Sequence, residues 1–467
     1  MRVIQEPHKA ISDVWGRPCR KEEVVYRLFR YILTKDVEEG KLLYNTVTGA
    51  LILLEKSDGL DLTSLPAAVD AKWYALISMK YLVPEDFDDK KSVTQLRKVI
   101  HLLSQRKDVV GYTIMPTSHC NARCFYCFES TFKYTHMSEE TAAQLVEYMT
   151  EHCNAEKFLH ITWYGGEPTV GEKRIDQICE GLNKNGIGFS SFMYSNGYLF
   201  DDEMVKKAVD LWKLNRIQIT LDGTEEVYNR VKAYKAVNGS PYQRVMQNIR
   251  KLLNAGIYVI IRMNVDFHNI EDLKHLIDEL AERFSGYENI NCYVHVLFDD
   301  EGYETVTHTP EERIELEERK NDLSRLIVEK GLALKRGQVS MPHLKALSCC
   351  TDNDASMVIN PDGGIAKCDH VPYTHTIGTI WSDGLDTAMQ YELKENKEFP
   401  ACESCLLYPV CYHLRVCAPS NVCNETMQQS KHEQYWDLME QVFYENHDED
   451  ISSIVITERE GGTNHDF

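Results

Sequence analysis

Eleven of the fifteen cysteines in this 467-residue chain fall into two short stretches, and that clustering limits the fold more than any other feature. The first stretch holds Cys120, Cys124 and Cys127. The second runs from Cys349 to Cys423 and includes Cys350, Cys368, Cys402, Cys405, Cys411 and Cys417. Cys19, Cys153, Cys179 and Cys292 are isolated and are expected as small buried hydrophobes. A disulfide framework belongs to short secreted chains, whereas this one is long and opens MRVIQEPHKA, without the apolar core of a signal peptide. It is therefore expected to be soluble and cytoplasmic. Reduced thiols gathered in this way bind metal or carry redox chemistry.

Charge narrows the partners. With 51 Lys+Arg against 72 Asp+Glu, the formal net charge is −21, which repels polyanions and argues against a nucleic-acid partner. No apolar run approaches the ~18 residues that a membrane span needs. At 43% hydrophobic and 26% charged, the composition is that of a globular protein.

The pattern divides the chain. Residues 1–100 read as a small α+β module, either of winged-helix-like peptide-docking type or an N-terminal embellishment packed on the main domain. In it, LLYNTVTGALILL (42–54) forms two strands around a Thr-Gly turn. A helix follows over 66–83, and DFDDKK (86–91) ends it as a solvated stretch. Residues 108–300 alternate. Strands are expected at 111–116, 158–163, 190–195, 216–221, 257–263 and 291–297, and helices at 138–152, 201–212, 241–256 and 269–284. Such alternation implies parallel pairing through right-handed crossovers, in either a six-stranded partial barrel or an open doubly wound sheet. Residues 301–340 carry a charged linker helix. The cysteine-rich region at 341–445 has few apolar runs, as expected where metal substitutes for a core, and ends in a helix over 426–445. Residues 446–467 form a polar tail.

Directly after the first expected strand comes SHCNARCFYCFES, with C-x3-C-x2-C spacing at Cys120, Cys124 and Cys127. Three close thiolates can grip a [4Fe–4S] cube and leave one iron for a non-protein ligand. Zinc with His119 as fourth ligand is the competing reading. The triplet, with Tyr126 before its last cysteine, resembles the signature of radical S-adenosylmethionine (SAM) enzymes. The resemblance implies a partial (β/α)6 barrel, SAM on the open iron, and a 5′-deoxyadenosyl radical that abstracts a substrate hydrogen. Further matches follow the next strands. Gly165-Gly166-Glu167-Pro168 resembles the motif that binds the SAM amino group, and Ser195-Asn196-Gly197 the ribose-contacting turn. Thr220 and Lys232 fall where relatives place a hydroxyl and a cation for the SAM carboxylate.

The second group is similar to the SPASM extension of radical SAM enzymes, which holds two auxiliary [4Fe–4S] clusters and brings the implied total to three. By that resemblance Cys402, Cys405, Cys411 and Cys423 hold one cluster. Cys368 and Cys417, with Cys350 and Cys349, hold the other. The chain departs from the family pattern at Cys411-x5-Cys417, where the family has x3, which puts Cys417 in doubt. A zinc ribbon built on Cys402-x2-Cys405 is the alternative. Asp369 matches the position where sulfatase-maturing relatives place a proton acceptor, and a cap on the cluster loop is its other reading.

SPASM enzymes mostly modify peptides. The resemblance implies a maturase that closes an intramolecular crosslink, thioether or carbon–carbon, in a ribosomally made precursor peptide. Its leader would be bound by the N-terminal module as an added strand, and a flavodoxin or ferredoxin would donate electrons. The alternatives are oxidation of Cys or Ser to formylglycine and a non-catalytic iron–sulfur or zinc scaffold.

Overall fold

The alternation at 108–300 becomes six strands: Gly111–Ile114, Phe158–Trp163, Gly188–Ser195, Leu214–Thr220, Tyr258–Val265 and Ile290–Val296. They lie side by side in sequence order, every pair parallel. The computed structural model describes residues 1–16, 24–104, 111–235, 238–297, 309–333, 340–344, 349–370, 372–373, 375–382, 384–394, 398, 400–411 and 425–445. Among these residues no ladder joins the sixth strand to the first, so the six parallel strands do not form a closed barrel.

Side chains alternate across the sheet with period two. Ile161, Met193, Ile217, Ile219, Ile261 and Val294 are buried in one continuous core against the helices. Thr162, Phe192, Tyr194, Gln218, Arg262, Tyr293 and His295 project to the other face and stay half-buried. A polar and aromatic inner surface with an apolar outer one is the division a ligand-holding barrel requires. The helices form where expected, at Glu139–Glu151, Asp202–Asp210, Pro241–Asn254 and Ile270–Phe284. The third of these stops at Gly256, whose positive φ (81°) accepts the left-handed turn that side chains resist. Cys179 and Cys292 are buried in this core and Cys153 is half-buried at its edge, while Cys19 lies outside the described residues.

The sheet does not stop at the linker. Ser356–Ile359 pairs parallel to the first barrel strand, and Gly364–Ala366 and Thr376–Thr379 continue it antiparallel. The cysteine-rich region is thus tied to the barrel by a backbone ladder, which no local pattern announces. The linker helix, Pro310–Glu329, lies against the sixth strand and places Leu323 and Ile327 in the barrel core.

The N-terminal module departs from expectation in two places. Gly40–Asn45 and Leu51–Glu55 pair as foreseen, within a four-stranded antiparallel sheet that includes Arg2–Gln5 and Ile32–Val37. The helix expected over 66–83 shrinks to Tyr74–Ser78. Its flanks, Ala67–Ala68 and Leu82–Pro84, are strands on either side of Val25–Leu28. A left-handed residue at Lys80 (φ 61°) and the strand-forming Tyr81-Leu82-Val83 end the helix early. The charged stretch 86–91 is also not simply solvated. Asp89 begins the helix Asp89–Ser104 and is buried against Arg27 at 2.9 Å. Burial alone would expel this carboxylate, and the guanidinium retains it.

Candidate functional site

Three loops meet at the C-terminal ends of the first three barrel strands, where open α/β sheets gather ligands. The Gly165-Gly166-Glu167 turn presses on the stretch leading into Cys120: Gly166 N donates to Thr117 O at 3.2 Å and Glu167 N to His119 O at 2.9 Å. A Cβ at Gly166 would lie 2.5 Å from His119 O and 2.6 Å from Ser118 O. One at Gly165 (φ 109°) would lie 2.3 Å from Thr117 O. Both glycines are therefore needed for backbone approach. Glu167 then joins the third loop. Its Oε1 accepts from Ser195 Oγ (2.8 Å), Thr169 Oγ1 (2.5 Å) and Thr169 N (3.2 Å), and its Oε2 accepts from Asn196 N (2.7 Å). Asn196 Nδ2 closes the circle by donating to Asn121 Oδ1 at 2.7 Å, beside Cys120 Sγ at 3.9 Å. Burial pushes the Glu167 carboxyl up, and these hydrogen bonds oppose the push.

A second network ties the cysteine loop to the fourth and fifth strands. Lys232 Nζ lies 3.0 Å from Asp222 Oδ2 and donates to the Tyr126 hydroxyl at 2.9 Å, and that hydroxyl donates to Asp222. The Lys232 and Asp222 side chains are 4% and 1% exposed. Asp222 Oδ1 also accepts from Asn264 N at 3.2 Å. Burial works against the Lys232 ammonium, but Asp222, then Cys124 and Tyr126, hold its pKa well above the usual value. Lys232 O accepts from Arg123 N at 2.7 Å, so the loop is also held through its backbone.

The cysteine loop is an unfavourable place for bare thiolates. Burial, with Glu167 next in effect, pushes Cys120 up to about 12. Burial and then Glu129 do the same to Cys127. Cys124 is also raised by burial, with Lys232 opposing. A cationic iron cluster reverses that balance, because coordination removes the thiol proton. Two buried polar atoms beside the loop, Asn121 Nδ2 and Glu129 Oε1, have no protein hydrogen bond. Three desolvated thiols and two orphaned polar atoms on one loop fit a cluster with a polar ligand on it.

The second cysteine group divides in space. Cys349, Cys350 and Cys368 come together, with Cys349 Sγ and Cys350 Sγ 3.9 Å apart. Hydrogen bonds with Cys349 and Cys368, then burial, hold the Cys350 thiol well above its usual range. The Cys350 and Cys368 sulfurs and an Asp369 carboxylate oxygen all lie within 4.8 Å of one another. Cys402, Cys405 and Cys411 occupy a separate segment docked on the N-terminal module. There Tyr408 stacks on Tyr31 at 6.1 Å, Arg97 Nη2 donates to Tyr408 O at 3.0 Å, and Lys90 pairs with Glu398 and Glu403. Cys402 and Tyr408 belong to that module's core. Cys417 and Cys423 lie outside the described residues.

The structure thus gathers Cys120, Cys124, Cys127, Tyr126, Gly165, Gly166, Glu167, Ser195, Asn196 and Lys232 around one loop. Thr220 is half-buried where the fourth strand ends, two residues before Asp222. Lys232, expected as a point charge for a ligand, already faces Asp222 and Tyr126. Burial, with Asp369 next in effect, pushes the Glu129, Tyr164 and Tyr194 groups up. Asp222, Asn121 and Glu129 were not singled out from the sequence. Asp222 stands two residues after Thr220, and only its packing distinguishes it. Phe125 and Tyr134, on and just beyond the same loop, are 50% and 51% exposed.

Residues 114–280 match the family model of the radical SAM superfamily. The sporulation killing factor maturation protein SkfB of Bacillus subtilis (strain 168) is 25% identical over 174 residues, which are 37% of this chain and 40% of that protein. GTP 3′,8-cyclase of Clostridium perfringens (strain 13 / Type A) is 24% identical over 271 residues, 55% of this chain and 79% of that protein. Among solved structures, anSMEcpe with bound AdoMet and the Cp18Cys peptide superposes with a TM-score of 0.55. It is 16% identical and covers 73% of this chain and 98% of its own, a shared fold.

Proposed function

We propose that this chain, whose residues 114–280 match the radical SAM family model, is an enzyme of peptide maturation: it closes an intramolecular crosslink, thioether or carbon–carbon, in a ribosomally made precursor peptide. One observation carries the cofactor half of this reading. Cys120, Cys124 and Cys127 stand on a loop bound by hydrogen bonds to the Glu167 and Asn196 turns at the sheet's C-terminal edge. Similarity to SkfB, a maturation protein by name, supports the peptide half, as does the α+β module attached to the cysteine-rich region.

When bound, the [4Fe–4S] cluster and SAM supply a 5′-deoxyadenosyl radical that takes a hydrogen atom from the substrate. The three thiols hold that cluster. Glu167 Oε2 accepts a single hydrogen bond, from Asn196 N, and keeps acceptor capacity for the SAM ammonium. The Ser195-Asn196 turn would meet the ribose, and Thr220 would offer its hydroxyl to the carboxylate. Lys232 contributes through Tyr126 and Asp222, fixing the cysteine loop and its field. The C-terminal cysteines hold two auxiliary clusters, for a total of three. A flavodoxin or ferredoxin would donate the electrons, and the exposure of Phe125 and Tyr134 near the cysteine loop supports an approach from that side. The N-terminal module binds the leader. Formylglycine formation, with Asp369 taking a proton, is the second reading, supported by the position of Asp369 directly after Cys368.

In anaerobically reconstituted protein we expect about twelve irons per chain. Cys124→Ala should abolish reductive SAM cleavage and remove about four of them, leaving the auxiliary absorption. Continued 5′-deoxyadenosine formation by that variant would refute the site. Coexpression with short cysteine-rich reading frames neighbouring the gene, read by mass spectrometry, separates the products. A crosslink removes about 2 Da, and conversion of Cys to formylglycine removes about 18 Da.

A further inference from the structure

We infer that Asp369 is a ligand of the auxiliary iron–sulfur site, its carboxylate filling a non-cysteine corner beside Cys350 and Cys368. The inference rests on reading the C-terminal cysteines as an iron–sulfur site, and it assigns Asp369 a role other than proton acceptor.

The two ligand segments are built to converge. Cys349 is extended and Cys350 opens a tight turn. Asp352 Oδ2 caps that turn by accepting from Cys349 N at 3.1 Å, and Asp352 N donates back to Cys349 O at 3.0 Å. Across from it, the hairpin Ser356–Ile359 to Gly364–Ala366 delivers Cys368 and Asp369 just past its second strand. Lys367 joins the two segments. It is buried, and its ammonium donates to Asn353 O and Ser356 O, both at 2.6 Å. The next stretch is anchored by Asn360 Nδ2 donating to Pro372 O at 2.7 Å. With both segments fixed, the Asp369 oxygen lies within 4.8 Å of the Cys350 and Cys368 sulfurs, as near as those two sulfurs need be to each other for a shared centre.

Donor chemistry points the same way. A cubane cluster takes four protein ligands when no outside ligand binds. The described part of this site brings three thiols, two of them adjacent in sequence, and one carboxylate. A carboxylate is harder than a thiolate but remains a competent iron ligand, as in carboxylate-bearing iron sites. By the family resemblance Cys417 would take the fourth corner, but its x5 spacing from Cys411 departs from the family's x3, and among the described residues the donor that stands with Cys350 and Cys368 is Asp369.

The test uses the full chain carrying Cys120→Ala, Cys124→Ala and Cys127→Ala, so that any iron bound is auxiliary, with about eight irons expected. In that background Asp369→Ala should lose iron and show the electron paramagnetic resonance signal of a three-iron cluster in the oxidised protein. Asp369→Cys should restore the iron, shift the reduced-cluster spectrum and lower its midpoint potential. If both variants keep the parent's iron content, reduced line shape and potential, Asp369 is not a ligand. A proton acceptor would give that outcome, with loss of product alone. Should Asp369→Ala be insoluble, the Asp369→Cys spectrum decides: a shift supports ligation and identity overturns it. A background protein that binds no iron would remove the auxiliary site itself, and this inference with it.

Discussion

Asp222→Asn should be among the most destabilising single changes in the barrel. The carboxylate stands 3.0 Å from Lys232 in a pair closed to water. At that separation and an effective dielectric of about 20, the attraction is roughly 5 kcal/mol. Removing one partner of a buried pair strands the other charge, and measured losses run about 3–5 kcal/mol. The asparagine keeps the shape and can still accept from Asn264 N, so the loss reports charge rather than packing. The pH dependence has a definite sign. In the native protein the Lys232 pKa is raised, so its contribution is complete below the unfolded lysine pKa and is lost only as pH climbs through the folded value. Without Asp222, burial pulls that pKa below the unfolded one. The deficit should then be largest near neutrality and shrink as pH rises toward about 10. Urea unfolding at pH 7 and pH 9.5 would measure this, with amide exchange in Glu225–Lys232 reporting the local part. Asp222→Asn with Lys232→Met should recover most of the loss. A single variant within about 1 kcal/mol of the parent, with the parent's pH profile, would falsify the argument.

Two further expectations follow from the site. Gly166→Ala puts a methyl into the Ser118–His119 backbone, which has no flexible end to yield. It should cost about 1–3 kcal/mol and reduce cluster loading by about four irons while sparing the auxiliary absorption; normal iron content and SAM binding would count against it. His295 is pushed down to about 4 by burial and then by Arg262. It should stay neutral where an exposed histidine protonates, and stability should fall as pH drops from about 6.5 toward 4, because only the unfolded chain takes up that proton. An NMR titration showing protonation of His295 near pH 6.5 would contradict this, and His295→Gln should flatten the fall.

What the sequence determined is local and periodic. Six runs of alternating or β-branched residues define the strands to within a few residues, because period-two burial is written in consecutive positions. The triplet Cys120, Cys124 and Cys127 was legible for the same reason: three thiols on one loop need no knowledge of the rest of the chain. The turns at Gly165-Gly166 and Ser195-Asn196-Gly197 also stood out, though not their contact, since Glu167 reaches Ser195 at the end of the neighbouring strand. The errors arose where neighbours decide. The helix expected over 66–83 gave way to strands that complete a sheet with Val25–Leu28, and Asp89 was buried because Arg27 meets it. Tertiary structure alone paired Asp222 with Lys232, brought Cys350 to Cys368 and Asp369, and ran the barrel sheet on into the cysteine-rich region. Ion pairs, ligand corners and ladder partners are set by distances between residues far apart in the chain, and no window of sequence contains those distances.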